Sequence, residues 1–391
     1  MKRIKYFLDE DIQKFLFNEI KINNLEIVPN SFKQIYFNKI VEFIIAFIEL
    51  LYILLRNWNK KKKIDFNRVW GIARVPHGKR GIEKAVADVC VIEDYGINDS
   101  IIDYVNFGER LIIGFRAIGI SIKINQNLTK FYNRCGIKVY KFYRIRIPQY
   151  ALFISALDMI IGRYSGKILY SSQIIDRFAF AEHVISKQQG CIKICIPHGL
   201  EPVEIEGEYP CDEMWCISKY TADLLSKKHS KQHFVYHEDV IKRLYSRNRK
   251  AKVCNKIVFF SQGERYLNET VYWINILKQY ISKSKFYNKL IFKFRYNTEV
   301  LSKYGTALDD VIVSDDIDEC LSSKVCISFY STTLLEALYN NSYAVAINCD
   351  YLEQNPDFVL NQLSDIRKIY SEQDLIDVLD DIEKQQKEKY M

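Results

Sequence analysis

The stretch FYSTTLLEALYN, residues 329–340, sets Ser331, Thr332 and Thr333 between an apolar run, KVCISFY, and a segment of helical composition, TLLEALYN. Small hydroxyl residues at such a junction offer O–H groups beside the unpaired N–H groups of a starting helix, and the combination suits an anion such as phosphate. A helix cap with nothing bound uses the same residues, so the stretch alone leaves both readings open. Glu93 and Asp94 end the run VCVI and precede Tyr95 and Gly96. A carboxylate in that place could take a proton from a hydroxyl, and an Asp shortly before a Gly is also an ordinary turn residue. His198, in IPHGLEP, is of a type suited to proton transfer near neutral pH, its alternative being a buried histidine bonded to a carbonyl. Arg295, in KFRYN, could neutralise phosphate charge through forked hydrogen bonds, but a guanidinium keeps its proton at any working pH and so cannot act as a general acid. His77, in RVPHGKRG, also precedes a glycine, in a more basic loop that reads as solvated.

These residues need elements to hold them. From about residue 66 short apolar runs alternate with helical stretches, the pattern of a parallel α/β architecture. VADVCVIED (86–94), ERLIIGF (109–115), KILYSS (167–172), IKICIPH (192–198) and DEMWCIS (212–218) read as strands of a first domain. Residues 226–252 are basic and aperiodic, which suggests a linker. A second run follows with KIVFFSQ (256–262), a helix near 267–283, KLIFKF (289–294), VIVSDD (311–316), KVCISFY (324–330) and YAVAIN (343–348). The expected domains are 1–245, carrying an apolar helix at 40–56, and 250–391, ending in a charged helix that could return to the first. Two such domains joined by one linker leave a cleft, and open α/β sheets bind ligands at the carboxyl ends of their strands. Glu93 and Asp94, His198, Ser261 and Gln262, Arg295, and Ser331 to Thr333 all follow strand runs. That shared placement argues for one common site.

The 391 residues, 48% apolar and 27% charged, describe a globular chain long enough for two cores. A formal charge of +8 suits phosphorylated ligands or an anionic membrane surface, while the absence of a concentrated aromatic and basic platform argues against nucleic acid. Ten cysteines lack metal-ligand spacing and read as reduced thiols of a cytosolic protein, with no secretory signal at MKRIKYFLDEDIQKF. Asp315, Asp316 and Asp318 imitate an acidic metal motif but sit in a strongly charged stretch that reads as exposed loop, so no metal and no cofactor is expected. IVEFIIAFIELLYILLRNWNKKKK, residues 40–63, is short for a spanning helix and contains Glu42 and Glu49. It fits a core helix, or a helix lying in a membrane interface with Lys60 to Lys63 on anionic lipid.

KIVFFSQGERYLNETVYWINILKQY, KLIFKFRYN and SSKVCISFYSTTLLEAL resemble, in order and spacing, the carboxyl-terminal domain of bacterial surface-polysaccharide glycosyltransferases of the GT-B type, sialyltransferases and polysialyltransferases above all. The resemblance implies two Rossmann-like domains facing across a cleft. It also implies an inverting, metal-independent transfer of a sugar, sialic acid being one example, from a CMP-linked or UDP-linked donor to a capsule or lipopolysaccharide glycan or glycolipid. On that pattern Ser331 and Thr332 hold the donor phosphate, with Ser261, Gln262, Lys293, Arg295, Thr333 and Glu336 as further donor contacts, and Glu93-Asp94-Tyr95-Gly96 carries the base, Asp94 first. The family's K-x-H-P reads here Lys293-Phe294-Arg295-Tyr296, which leaves only electrostatic help for the leaving group. IPHGLEP is similar to the His-Gly step of capsule Kdo-transferase and glycerophosphotransferase-like proteins, so a polyol-phosphate or Kdo-type transferase using His198 stays open. So does a catalytically silent member that binds nucleotide sugar or glycan within a polysaccharide assembly complex. Such a protein would work in the cytoplasm, with peripheral contact on the inner face of the cell membrane.

Overall fold

A computed structural model of the chain describes residues 39–57, 61–65, 67–96, 98–135, 147–164, 166–172, 174, 176–197, 207–246, 254–294 and 300–390. The chain divides into two compact units, with the main break between His237 and Glu238. Each carries one six-stranded sheet in which every pairing is parallel. Two α/β units of Rossmann-like winding are the architecture expected of a GT-B-like chain.

In the first unit α1 (Lys39–Leu55) precedes β1 (Val69–Ala73), α2 (Pro76–Ala85), β2 (Val89–Glu93), α3 (Phe107–Cys135), α4 (Ile147–Ile161), β3 (Ile168–Ser171), α5 (Arg177–Gln188), β4 (Ile192–Cys195), β5 (Glu213–Trp215), α6 (Lys219–Lys228) and β6 (His233–Val235). The sheet order is β2-β1-β3-β4-β5-β6, so the chain leaves β1 toward β2 and returns on the other side at β3. Trp70, Ile72, Ile92 and Leu169 pack from the strands against a helical layer in which Ile53 and Leu54 of α1 meet Ile113 and Ala117 of α3. Residues 109–115 therefore belong to a helix and not to the expected strand. Buried Ile113, Ala117, Ile120 and Ile124 follow helical spacing, but Leu111, Ile112 and Phe115 on the outward side are apolar too, and together they imitate a buried strand.

The second unit starts with α7 (Glu238–Tyr245) and continues through β7 (Cys254–Phe260), α8 (Leu267–Lys283), β8 (Lys289–Lys293), β9 (Ile312–Ser314), α9 (Ile317–Leu321), β10 (Ser323–Ser328), α10 (Thr332–Leu338), β11 (Tyr343–Ile347), α11 (Asp350–Gln354), α12 (Val359–Gln362), β12 (Ile366–Ile369) and α13 (Glu372–Tyr390). The order is β12-β11-β10-β7-β8-β9, so the direction of winding reverses between β7 and β10. Residues 226–252 are not a linker along their length, because they carry the end of α6, β6 and all of α7. Tyr245 of α7 stacks on Tyr339, and its carbonyl accepts from Asn340 Nδ2 at 2.9 Å, which ties α7 to the second unit. The terminal helix packs within the second unit. Leu375, Leu379 and Ile382 lie in the core formed with Ile257, Phe292 and Val345. The acidic stretch after β9 is also ordered, with Asp316 capping α9 through the N–H groups of Asp318 and Glu319.

Beneath the first sheet Lys193 and Glu182, both fully buried, pair at 3.2 Å, and Lys193 Nζ also donates to the Ala179 carbonyl at 2.7 Å. His183 lies beside this pair. Burial, and next the Lys193 ammonium, push its pKa down to about 4 against a smaller upward pull from Asp212. The unfolded chain takes up that proton near pH 6.5, well before the folded one does, so falling pH favours the unfolded state. Stability is full above about pH 6.5 and declines down to about pH 4, by about 3 kcal/mol for this group. Urea unfolding at a series of pH values checks this: His183→Gln flattens the slope in that window, and an unchanged slope refutes the assignment.

Candidate functional site

Among the described residues, those singled out from the sequence fall into two sets, one at the carboxyl end of each sheet. In the second unit Ser261 and Gln262 follow β7, and Ser331 to Thr333 follow β10 after Phe329 and Tyr330. β7 and β10 are neighbours and flank the reversal of winding, where open α/β sheets leave a crevice for ligands. Gln262 Nε2 donates to Ser328 Oγ at 3.2 Å, which joins the two strand ends directly. Ser261 is buried, and its hydroxyl accepts from the Gly263 N–H at 3.0 Å and lies 3.3 Å from the Tyr304 hydroxyl, so it shapes the turn. Gly263 is needed there because its φ of 87° lies in the left-handed region. Lys293 ends β8 next to β7, and its Nζ donates to the Phe294 carbonyl at 3.1 Å.

Ser331 is the N-cap of α10. Its Oγ accepts from the Thr333 N–H at 3.3 Å and from the Thr333 hydroxyl at 2.8 Å. With two bonds accepted by its oxygen, the Ser331 O–H remains available as a donor, whereas the Thr333 O–H is already used. Ser331 is thus a hydroxyl donor of the set, and Thr332 adds a second hydroxyl at the first position of α10. Glu336 stands one turn into α10 from Thr332, and all four residues are half-buried.

Two tyrosines beside this set escaped the sequence reading. Tyr330 and Tyr351 stack at 4.4 Å between centroids, and Tyr351 meets Phe358 edge-on at 5.2 Å. The signal was Tyr330 itself, an aromatic residue directly before the cap, but its partner stands at the start of α11, 21 positions on.

In the first unit β2 pairs with β1 so that Glu93 lies opposite Ala73, and the Asp94 N–H donates to the Ala73 carbonyl at 2.9 Å. The Asp94 side chain is only 7% exposed. One of its oxygens pairs with the Arg74 guanidinium and the other accepts from the Ile101 N–H at 2.9 Å. Arg74 in turn lies over the Phe178 ring, 3.3 Å from its centroid. Asp94 therefore anchors Arg74 and the chain beyond β2, and taking a proton there requires the ion pair to open. The Glu93 side chain, 20% exposed, pairs with Lys79 and with Lys62 at 3.3 Å. Burial raises the pKa of Glu93, but Lys79 and then Lys62 outweigh it and hold the carboxyl below its ordinary value. It is ionised at neutral pH and is the more accessible of the two acids.

α2 begins at Pro76, directly after Arg74 and Val75, with no side chain capping it. His77 in its first turn stands at the surface with its ring partly covered, and that partial burial, followed by the charge of Arg80, lowers its pKa. Gly78 presses against the end of β3, where any Cβ at 78 would collide with Ser172 Oγ, a buried hydroxyl without a hydrogen-bond partner. His198 and Arg295 lie outside the described residues.

No protein-family model matches the chain, and no curated protein does. Among solved structures the chain is similar to a protein from Listeria monocytogenes described as a UDP-N-acetylglucosamine 2-epimerase, at 10% identity and a TM-score of 0.49, over 81% of this chain and 88% of the other.

Proposed function

We propose that the protein is an inverting glycosyltransferase in which the second unit holds the phosphate of a nucleotide-linked sugar and the first unit supplies the base. The observation that carries this reading is the donor set at the β7 and β10 strand ends, where the Ser331 hydroxyl, Thr332 and the Gln262 amide flank the reversal of winding. In the proposed step a carboxylate takes the proton of an acceptor hydroxyl, whose oxygen forms a bond to the anomeric carbon. The bond from that carbon to phosphate oxygen breaks, and its electron pair leaves with the nucleotide. Hydroxyl and amide donors placed at the phosphate favour that charge as it grows. Glu93 is the base best supported by exposure, with Asp94 behind it as the anchor of Arg74. The stacked Tyr330 and Tyr351 offer an aromatic surface for the base of the nucleotide. The sugar in this reading is one carried by CMP or UDP, sialic acid among them, and the acceptor a surface glycan. The closed ion pair of Asp94 also favours a second reading, a member that binds nucleotide sugar without turning it over.

Incubation of the purified chain with a panel of CMP-linked and UDP-linked sugars, with and without glycan acceptors, separates these readings. Nucleotide release from one donor class is the expected result. Binding without release from any donor would establish the silent member, and neither binding nor release would end both.

A further inference from the structure

Most of the large apolar side chains exposed among the described residues lie on α1 and α3. On α1 they include Ile48, Leu51 and Leu55, at spacings of three and four that form one stripe. On α3 they include Ile112, Phe115 and Ile122, with Phe115 at 76% exposure. The opposite sides of both helices are buried in the core of the first unit, where Leu54 of α1 packs on Gly114 of α3. The stripes are therefore held by folded structure on either side of one helix contact. Contiguous apolar surface of this kind on a folded unit marks a docking face.

At the exposed positions around it cations outnumber acids, with Glu49 of α1 half-buried and Asp65 exposed. The exposed positions of α3 among the described residues carry Arg116, which pairs with Asp158 at 3.7 Å, and Lys123, and no acid. Lys61 and Lys63, just beyond α1, are exposed, and Lys61 interacts electrostatically with Glu109 at the start of α3. No helix among the described residues is long and apolar enough to cross a membrane. Two copies of the chain brought together through this face would set cationic fringes against each other, which opposes pairing. An anionic bilayer instead satisfies both features, since the stripes enter the boundary of headgroups and acyl chains while the cations meet phosphate. We infer that the α1 and α3 stripes form a membrane-docking face of the first unit, specific for anionic phospholipid. This goes beyond the proposed sugar transfer and does not depend on it.

The test is sedimentation of the full chain with vesicles of phosphatidylcholine, with and without about one-third phosphatidylglycerol. Binding is expected to the anionic vesicles, weakening as salt rises. Ile48→Ser with Phe115→Ser should lower the partition coefficient by on the order of tenfold per side chain, with circular dichroism unchanged because both positions are exposed. Lys61→Gln with Lys63→Gln should lower binding to anionic vesicles by about fivefold per charge and leave the weak binding to neutral vesicles unaltered. Should the first pair perturb folding, Leu51→Ser with Ile122→Ser asks the same question. The inference is overturned if anionic vesicles do not bind the chain, or if folded stripe variants bind as the parent does. A dimer that the stripe variants dissociate, without vesicle binding, would assign the face to a second copy.

Discussion

Glu93→Gln is expected to lower turnover by on the order of 10²–10⁴ while leaving nucleotide affinity nearly unchanged. The amide keeps the shape of the side chain but accepts no proton, and the residue lies at the end of β2, in a different unit from the phosphate set. The substitution also removes the pairing with Lys62 and Lys79, which are partly exposed, so the stability change should stay near 1 kcal/mol. Asp94→Asn supplies the contrast. It removes the charge that pairs with the Arg74 guanidinium in a largely closed setting and should lower the melting temperature clearly, since breaking a buried pair costs about 3–5 kcal/mol. Thermal melts and steady-state kinetics on both variants therefore separate chemistry from support. Loss of turnover in Asp94→Asn at an unchanged melting temperature, with Glu93→Gln fully active, would move the base to Asp94.

Ser331→Ala with Thr332→Val should weaken nucleotide binding by on the order of 10²-fold, in line with the loss of well-placed donors to a charged oxygen. Part of the effect has another origin, because Ser331 caps α10 and its removal costs about 1 kcal/mol of stability. Thr333→Val separates the two. The Thr333 hydroxyl donates to Ser331 and not outward, so its loss should disturb the cap while leaving binding within a few-fold of the parent. Titration calorimetry on the three proteins reads the difference. If Thr333→Val costs as much affinity as the double substitution, the hydroxyls act by shaping the helix start and not by touching phosphate.

The parallel strands were largely legible in the sequence because each is a short apolar run ending in a polar residue, and a parallel sheet covered on both faces produces that pattern. β1, β6 and β12 escaped notice: VWGIA is interrupted by Gly71, HFV is three residues long, and IRKI carries two cations. α3 was misread because its outward face is apolar, the feature that the docking inference explains. The placement of Ser261, Gln262, Ser331 and Thr332 at neighbouring strand ends could be anticipated, since position after a strand is a local property. The locking of Asp94 could not, because Arg74 is 20 positions away and reaches it only through the pairing of β1 with β2. The stacked Tyr330 and Tyr351 were hidden for the same reason, their meeting being set by tertiary packing.

The central claim is that the β7 and β10 strand ends hold the phosphate of a nucleotide. A crystal structure of the protein with CMP or UDP tests it directly. The account predicts a phosphate oxygen within hydrogen-bond distance of Ser331 Oγ and of the first N–H groups of α10, on the side of Gln262. A phosphate held by other residues of the second unit, or bound by the first unit at the start of α2, would contradict it.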